Sequence, residues 1–198
     1  VRTLRVSDST FSDAGWAALM EAVRGLPVSE LGVSGCALGP RHAADLADYV
    51  VSAGGSLTTL RCGSNPGMVG GLYSNGRLET PDAHIKGFRR LCEALKPSQV
   101  TEVDFSGCGL GPLGADSVAD YVRNAIADIV SINCLANKFG EEGLSTLLAS
   151  IKDTSVRSLC GLIEGQTVAD FSSQNLGPID CIIMAAEFAF QGFIAGIK

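Results

Sequence analysis

Metal-binding arrangements of histidine and cysteine are missing from this chain. It has two histidines, His42 and His84, in 198 residues, and none of its seven cysteines stands in a C-x-x-C pair, so a zinc site is not expected. Runs of one charge are missing too. The formal net charge is -6 with no basic stretch, which argues against a nucleic-acid partner, and there is no charged tail. Gly67-Met68-Val69-Gly70-Gly71 lacks the Gly-Lys-Ser/Thr ending of a phosphate-binding loop and opens no helix, so no nucleotide or other cofactor is expected. Both histidines fall in helix or loop segments, so no Ser–His–Asp set forms, no catalytic residue is assigned, and the chain does not read as an enzyme.

What the chain does have is repetition. Gly15–Asn65 aligns without a gap on Gly87–Asn137, 72 residues later, with 20 of 51 positions identical. Ser34-Gly35-Cys36-x-Leu38-Gly39-Pro40 matches Ser106-Gly107-Cys108-x-Leu110-Gly111-Pro112, and Cys62-x-x-Asn65 matches Cys134-x-x-Asn137. A finer period runs inside each copy. Val28-x-x-Leu31-x-Val33-x-x-Cys36-x-Leu38 recurs as Val100-x-x-Val103-x-Phe105-x-x-Cys108-x-Leu110, with looser versions beginning at Val1, Leu57, Ile129 and Val156. Ordinary spacing between unit starts is 27 to 29 residues. Alternation in each unit's first part predicts a short strand, with Leu31 and Val33 inward and Glu30, Gly32 and Ser34 outward. The second part has helical spacing: Ala43, Leu46, Ala47 and Val50 form one stripe, and Ala115, Val118, Ala119 and Val122 another. Neither face can be buried within one unit, so neighbouring units are expected to stack and share a core.

This pattern resembles the leucine-rich repeat, L-x-x-L-x-L-x-x-N/C-x-L, and its length resembles the ribonuclease-inhibitor-like subfamily. The resemblance covers nearly the whole chain. It implies an α/β fold: a right-handed solenoid, or horseshoe segment, of about six to seven units with a parallel concave sheet and outer helices. Residues 1–198 then form a single domain, and the in-register start without Met is expected of a fragment, or of a chain processed from a longer one. Cys36 and Cys108 fall at the N/C position, Cys62 and Cys134 replace core aliphatics, and Cys92 lies on a helix stripe. Free, buried cysteines of this kind point to a reducing, intracellular compartment.

Three departures from the repeat stand out. Residues 66–81 are inserted between the third and fourth units, and Leu72-Tyr73-Ser74-Asn75-Gly76-Arg77-Leu78-Glu79 predicts a hairpin closed by a two-residue type I′ turn at Asn75-Gly76. Met68, Tyr73 and Arg77 are its candidate contacts. Residues 160–168 break the sixth unit as an irregular excursion; a hairpin on the rim is one geometry the sequence allows. Residues 179–198 form an apolar terminal helix and cap. Asp180 and Glu187 interrupt that run, which argues against a membrane span; Phe190 and Phe193 are expected to be partly exposed. Any membrane contact is expected there, at residues 179–197.

The outward strand positions place Arg5, Glu30, Arg61, Glu102, Asp104 and Asn133 on the concave face, small and polar with scattered charges of both signs. The expected function is protein–protein interaction, or a structural place in a larger assembly, through this face, the hairpin and the apolar carboxyl end. Fold analogy alone offers two alternatives: a small-GTPase regulator resembling the Ran GTPase activator, or the sensor part of a receptor resembling the nucleotide-binding leucine-rich-repeat proteins.

Overall fold

The computed structural model describes residues 2–163 and 165–189. Strands and helices alternate along the chain except at β3–β5 and at α5–α6. In order they are β1 (Thr3–Arg5), α1 (Asp13–Val23), β2 (Glu30–Gly32), α2 (Pro40–Ser52), β3 (Thr59–Arg61), a 3₁₀ turn (Pro66–Met68), β4 (Gly71–Leu72), β5 (Leu78–Thr80), α3 (Ile85–Leu95), β6 (Glu102–Asp104), α4 (Pro112–Asn124), β7 (Ser131–Asn133), α5 (Gly140–Ser150) and α6 (Pro178–Ala189). The protein is α/β: β1-β2-β3-β6-β7 form a five-stranded sheet whose neighbours are all parallel. Leu4, Leu31, Leu60, Val103 and Ile132 stand in one row across it. All but Leu4 are buried, and the helix stripes predicted on α2 and α4 are buried with them. Helix packs on helix in sequence order from α2 to α6.

Each unit is tied to the one before it by the residue that follows its strand. Asn65 Nδ2 donates to the Val33, Cys62 and Gly63 carbonyls at 3.0, 2.8 and 3.1 Å, while its Oδ1 accepts from the Cys36 and Leu38 amides, both at 3.0 Å. Asn137 repeats this set of five bonds one duplication later. Where the position is cysteine, the thiol reaches a carbonyl of the preceding unit: Cys36 to Val6 at 3.2 Å and Cys108 to Cys62 at 3.2 Å. The buried positions of these turns, Cys36, Leu38, Cys108 and Leu110, have their amides satisfied this way.

The last edge of the sheet is closed by side chains. Along the stack, the amides of Asp8, Gly35, Ser64 and Gly107 each donate to a carbonyl of the following unit. The next member of the series, Ala136, donates instead to Asp180 Oδ1 at 2.7 Å. The sixth unit pairs with β7 through isolated bridges, Ser131 with Ser158 and Asn133 with Cys160. Its free amides, Leu159 and Cys160, donate to Glu187 Oε2 at 2.9 and 2.8 Å, and the Ser158 hydroxyl donates to Oε1 at 2.7 Å. Two carboxylates on α6 thus stand where a further strand's carbonyls would stand, and an open edge is avoided. The acids read from sequence as interruptions of an apolar run are its attachment points. No strand forms within 160–168 among the described residues.

Two further expectations are corrected. The hairpin turn is not a two-residue type I′ turn. Gly76 N donates to Tyr73 O at 2.9 Å and Tyr73 N to Arg77 O at 2.9 Å, enclosing Ser74, Asn75 and Gly76, and only Gly76 takes a positive φ, 80°. This is the three-residue loop with glycine in the left-handed position; Asn75 keeps ordinary φ, and its Oδ1 accepts from Arg77 N at 3.1 Å. Of the seven cysteines, Cys181 is exposed and the other six are buried, because Cys181 lies on the side of α6 turned away from its two acids.

Candidate functional site

The charged residues of the sheet face form one connected ladder. Arg5 binds Glu30 with two nitrogens, Nε to Oε1 at 2.8 Å and Nη2 to Oε2 at 2.9 Å. Arg61 bridges in the other direction, Nε to Glu30 Oε1 at 3.0 Å and Nη2 to Glu102 Oε2 at 3.2 Å. The strand register explains the pattern. Glu30, Thr59 and Glu102 share one row, while Arg5, Gly32, Arg61 and Asp104 share the next, so each arginine reaches diagonally. Gly32 makes this possible: a Cβ there would lie 3.1 Å from Arg5 Cγ, and its absence lets Arg5 lie flat across the strand. The hydrogen bond from Arg5 is the main cause that holds the Glu30 carboxyl below its ordinary value.

Two cations and two anions thus neutralise one another in a line. Asp104 is outside the ladder: its Oδ1 accepts from Ser106 N at 3.0 Å and Ser106 Oγ at 2.7 Å. Asn133 likewise turns onto its own strand end, with Oδ1 accepting from Leu135 N at 3.2 Å. The face that the sequence presents as scattered charges is a self-compensated polar surface.

The second candidate surface is the insertion. Met68, expected as a contact, is corrected: it is fully buried, with Val69, in the common core. The 3₁₀ turn brings it back under the sheet before the hairpin leaves. Further bonds hold the base of the insertion, Val69 N to Cys108 O at 3.2 Å, Asp82 N to Gly109 O at 3.0 Å and His84 N to Val69 O at 2.7 Å. Asp82 then caps α4 from outside, accepting from the Gly111, Leu113 and Gly114 amides at 2.8, 2.8 and 3.1 Å. The tip is bare: Tyr73 is 53% exposed, Leu72 is 40% exposed, and Arg77 is exposed beside them. Under the hairpin lies a cavity of about 560 Å³, lined by Leu38, Pro40, Pro66, Leu72 and His84 among others.

The third is the carboxyl end. Phe190 and Phe193 lie outside the described residues, while Ile182 and Phe188 of α6 are 47% and 46% exposed. Sequence reasoning missed Leu72, Ile182, Phe188 and Asp82; the spacing of Asp180 and Glu187, seven residues apart, was the available sign of which side of α6 faces inward. His42 Nδ1 accepts from Gly39 N at 2.8 Å, and its ring stacks edge-on against Trp16 at 4.9 Å, a helix-start role. Among the described residues no group of three or more His, Cys, Asp or Glu could hold a metal ion, and no helix is long and apolar enough to cross a membrane. No family model matches the chain, and no curated protein matches its sequence.

Proposed function

We propose that the chain is a segment of a right-handed leucine-rich-repeat solenoid, of the ribonuclease-inhibitor-like kind, acting as a non-enzymatic protein-interaction module or a subunit of a larger assembly. The observation that carries this reading is the hairpin. Its base is locked by Met68 in the core and by Asp82 on α4, and its tip offers Leu72, Tyr73 and Arg77 to solvent. A rigidly held, bare aromatic–arginine pair is the composition of an interface anchor, and its rigidity lowers the ordering cost of binding. The ladder supports a supplementary role for the sheet face, since Arg5, Glu30, Arg61 and Glu102 already satisfy one another and leave a neutral surface.

The test is a double substitution, Tyr73→Ala with Arg77→Ala. Both side chains are exposed, so the melting temperature should stay essentially unchanged. The chain from its native source should fractionate with a larger assembly, and the double variant should lose that association while still folded. Migration of the unaltered chain near its own 20.5 kDa, or equal association of the variant, would sink the hairpin as the docking element.

A further inference from the structure

Six asparagines stand in the chain, and Asn75 alone is followed by glycine. An asparagine side chain is open to attack by the main-chain nitrogen of the next residue, which closes a five-membered imide ring. A Cβ on that next residue crowds the attack, and glycine has none. The other five asparagines are disfavoured in different ways. Asn65 precedes Pro66, which has no N–H to lose. Asn137 is buried with both ends of its amide bonded. Asn124 commits its amide nitrogen to Asp120, at 2.9 Å to both the carbonyl and Oδ1. Asn175 precedes the branched Leu176.

Asn133 is the informative comparison. Its Oδ1 accepts from the amide two residues on, Leu135 N at 3.2 Å, as Asn75 Oδ1 accepts from Arg77 N at 3.1 Å. The residue between them differs. Cys134 is fully buried and its amide is committed to Leu159 O at 2.9 Å. Gly76 is exposed, as is Asn75, and takes a positive φ of 80°. No residue beyond its chain neighbours comes within 4 Å of where a Cβ would stand.

The Arg77 N–H also sits on the atom that collects negative charge as Asn75 Cγ is attacked, where a donor stabilises an oxyanion. One bond opposes the reaction: Gly76 N donates to Tyr73 O at 2.9 Å. It has to open for the attack. At an exposed loop tip it opens without disturbing Met68 in the core or the Asp82 cap on α4.

We infer that Asn75–Gly76 is a self-modification site, where the folded chain converts its own hairpin tip to an aspartyl or iso-aspartyl form. Gly76 N bonds to Asn75 Cγ, the Cγ–Nδ2 bond breaks, and the amide proton leaves with the nitrogen as ammonia. Water then opens the imide. Opening at Cγ leaves an ordinary aspartate. Opening at the Asn75 main-chain carbonyl leaves iso-aspartate, whose backbone runs through Cβ and Cγ and is one carbon longer. Either product sets a carboxylate between Tyr73 and Arg77, and the second also lengthens the loop that the Tyr73–Arg77 bond closes. The reaction needs no partner, so it stands or fails apart from any docking role of the hairpin.

The test is to hold the intact chain at mildly alkaline pH, folded and in guanidinium chloride side by side, and to map its peptide masses over time. The folded chain should gain about one dalton, on the peptide that holds Asn75 alone, as nitrogen is replaced by oxygen. In water enriched in oxygen-18 that oxygen should carry the label. Enzymatic methylation of iso-aspartyl carboxyls should mark part of the product. Asn75→Asp keeps the acceptor for Arg77 N and should show no gain. Three results would overturn the proposal. These are no gain at Asn75 in the folded chain, a gain only after unfolding, which would mean that the Gly76–Tyr73 bond shuts the site, or an equal gain at exposed Asn124 or Asn175.

Discussion

Arg61 and Glu30 lie on adjacent strands, 31 residues apart in sequence, with Nε 3.0 Å from Oε1. Glu30 is the hub of the ladder, because it takes Arg5 as well. Its carboxyl is held below the ordinary value, first by the hydrogen bond from Arg5. A depressed folded-state value means that the ladder's contribution is present above the unfolded value and lost as pH falls through the folded one. Glu30→Gln should therefore lower the denaturation midpoint at neutral pH, by about 1 kcal/mol or less for so accessible a set. The difference from the unaltered protein should shrink as pH drops below about 4.5. A difference that stays constant between neutral pH and pH 3 would show that Glu30 acts by packing alone.

Asn137→Ala removes one side chain but orphans five main-chain groups, the amides of Cys108 and Leu110 and the carbonyls of Phe105, Cys134 and Leu135. The cost should reach about 3–5 kcal/mol. Asn137→Asp should cost as much, since it keeps the acceptor and discards the donor. Urea denaturation of the two variants checks this, and a loss under about 1 kcal/mol would refute it.

Tyr49 and Tyr121 occupy the same place in the two halves of the duplication, yet their hydroxyls fare differently. The Tyr121 hydroxyl donates to Val100 O at 3.4 Å, while the buried Tyr49 hydroxyl finds no partner among the described residues. Tyr49→Phe should be neutral or stabilising, by up to about 1 kcal/mol, and Tyr121→Phe should be mildly destabilising. Equal losses from both would mean that Tyr49 has a partner in solution.

Thiol chemistry gives a direct count. Burial pushes the thiols of Cys92, Cys134 and Cys160 well above the ordinary value, and the hydrogen bond with Cys108, followed by burial, does the same for Cys62. Only Cys181 is exposed. A maleimide at neutral pH should add one label to the folded protein and seven after denaturation, read by intact mass. Rapid labelling at Cys36 or Cys108 under native conditions would contradict the burial of those turns.

Much of this was legible in the chain itself. Alternation around Leu31 and Leu60 and the stripes at Ala43–Val50 and Ala115–Val122 fix strands and helices locally, and all of these are buried as read. What escaped depends on register and on distant main chain. Arg61 can reach Glu102 only because β3 and β6 pair directly across the insertion. Met68 reads as a loop residue until its 3₁₀ turn is seen to re-enter the core. Asp82 serves a helix that begins 30 residues later, at Pro112. Asp180 and Glu187 looked like flaws because hydropathy scores an acid against its neighbours and takes no account of amides waiting for an acceptor.

Those two acids bear on how the chain could have grown. They grip peptide N–H groups, with one side chain, the Ser158 hydroxyl, beside them, and the amide taken by Asp180 has counterparts at Asp8, Gly35, Ser64 and Gly107. A contact that reads mainly backbone depends little on which residues the preceding unit carries. Copying or losing an internal segment, as the 72-residue repetition records, would still leave Asp180 an amide to accept from. The number of units could thus change without disturbing the way α6 is attached.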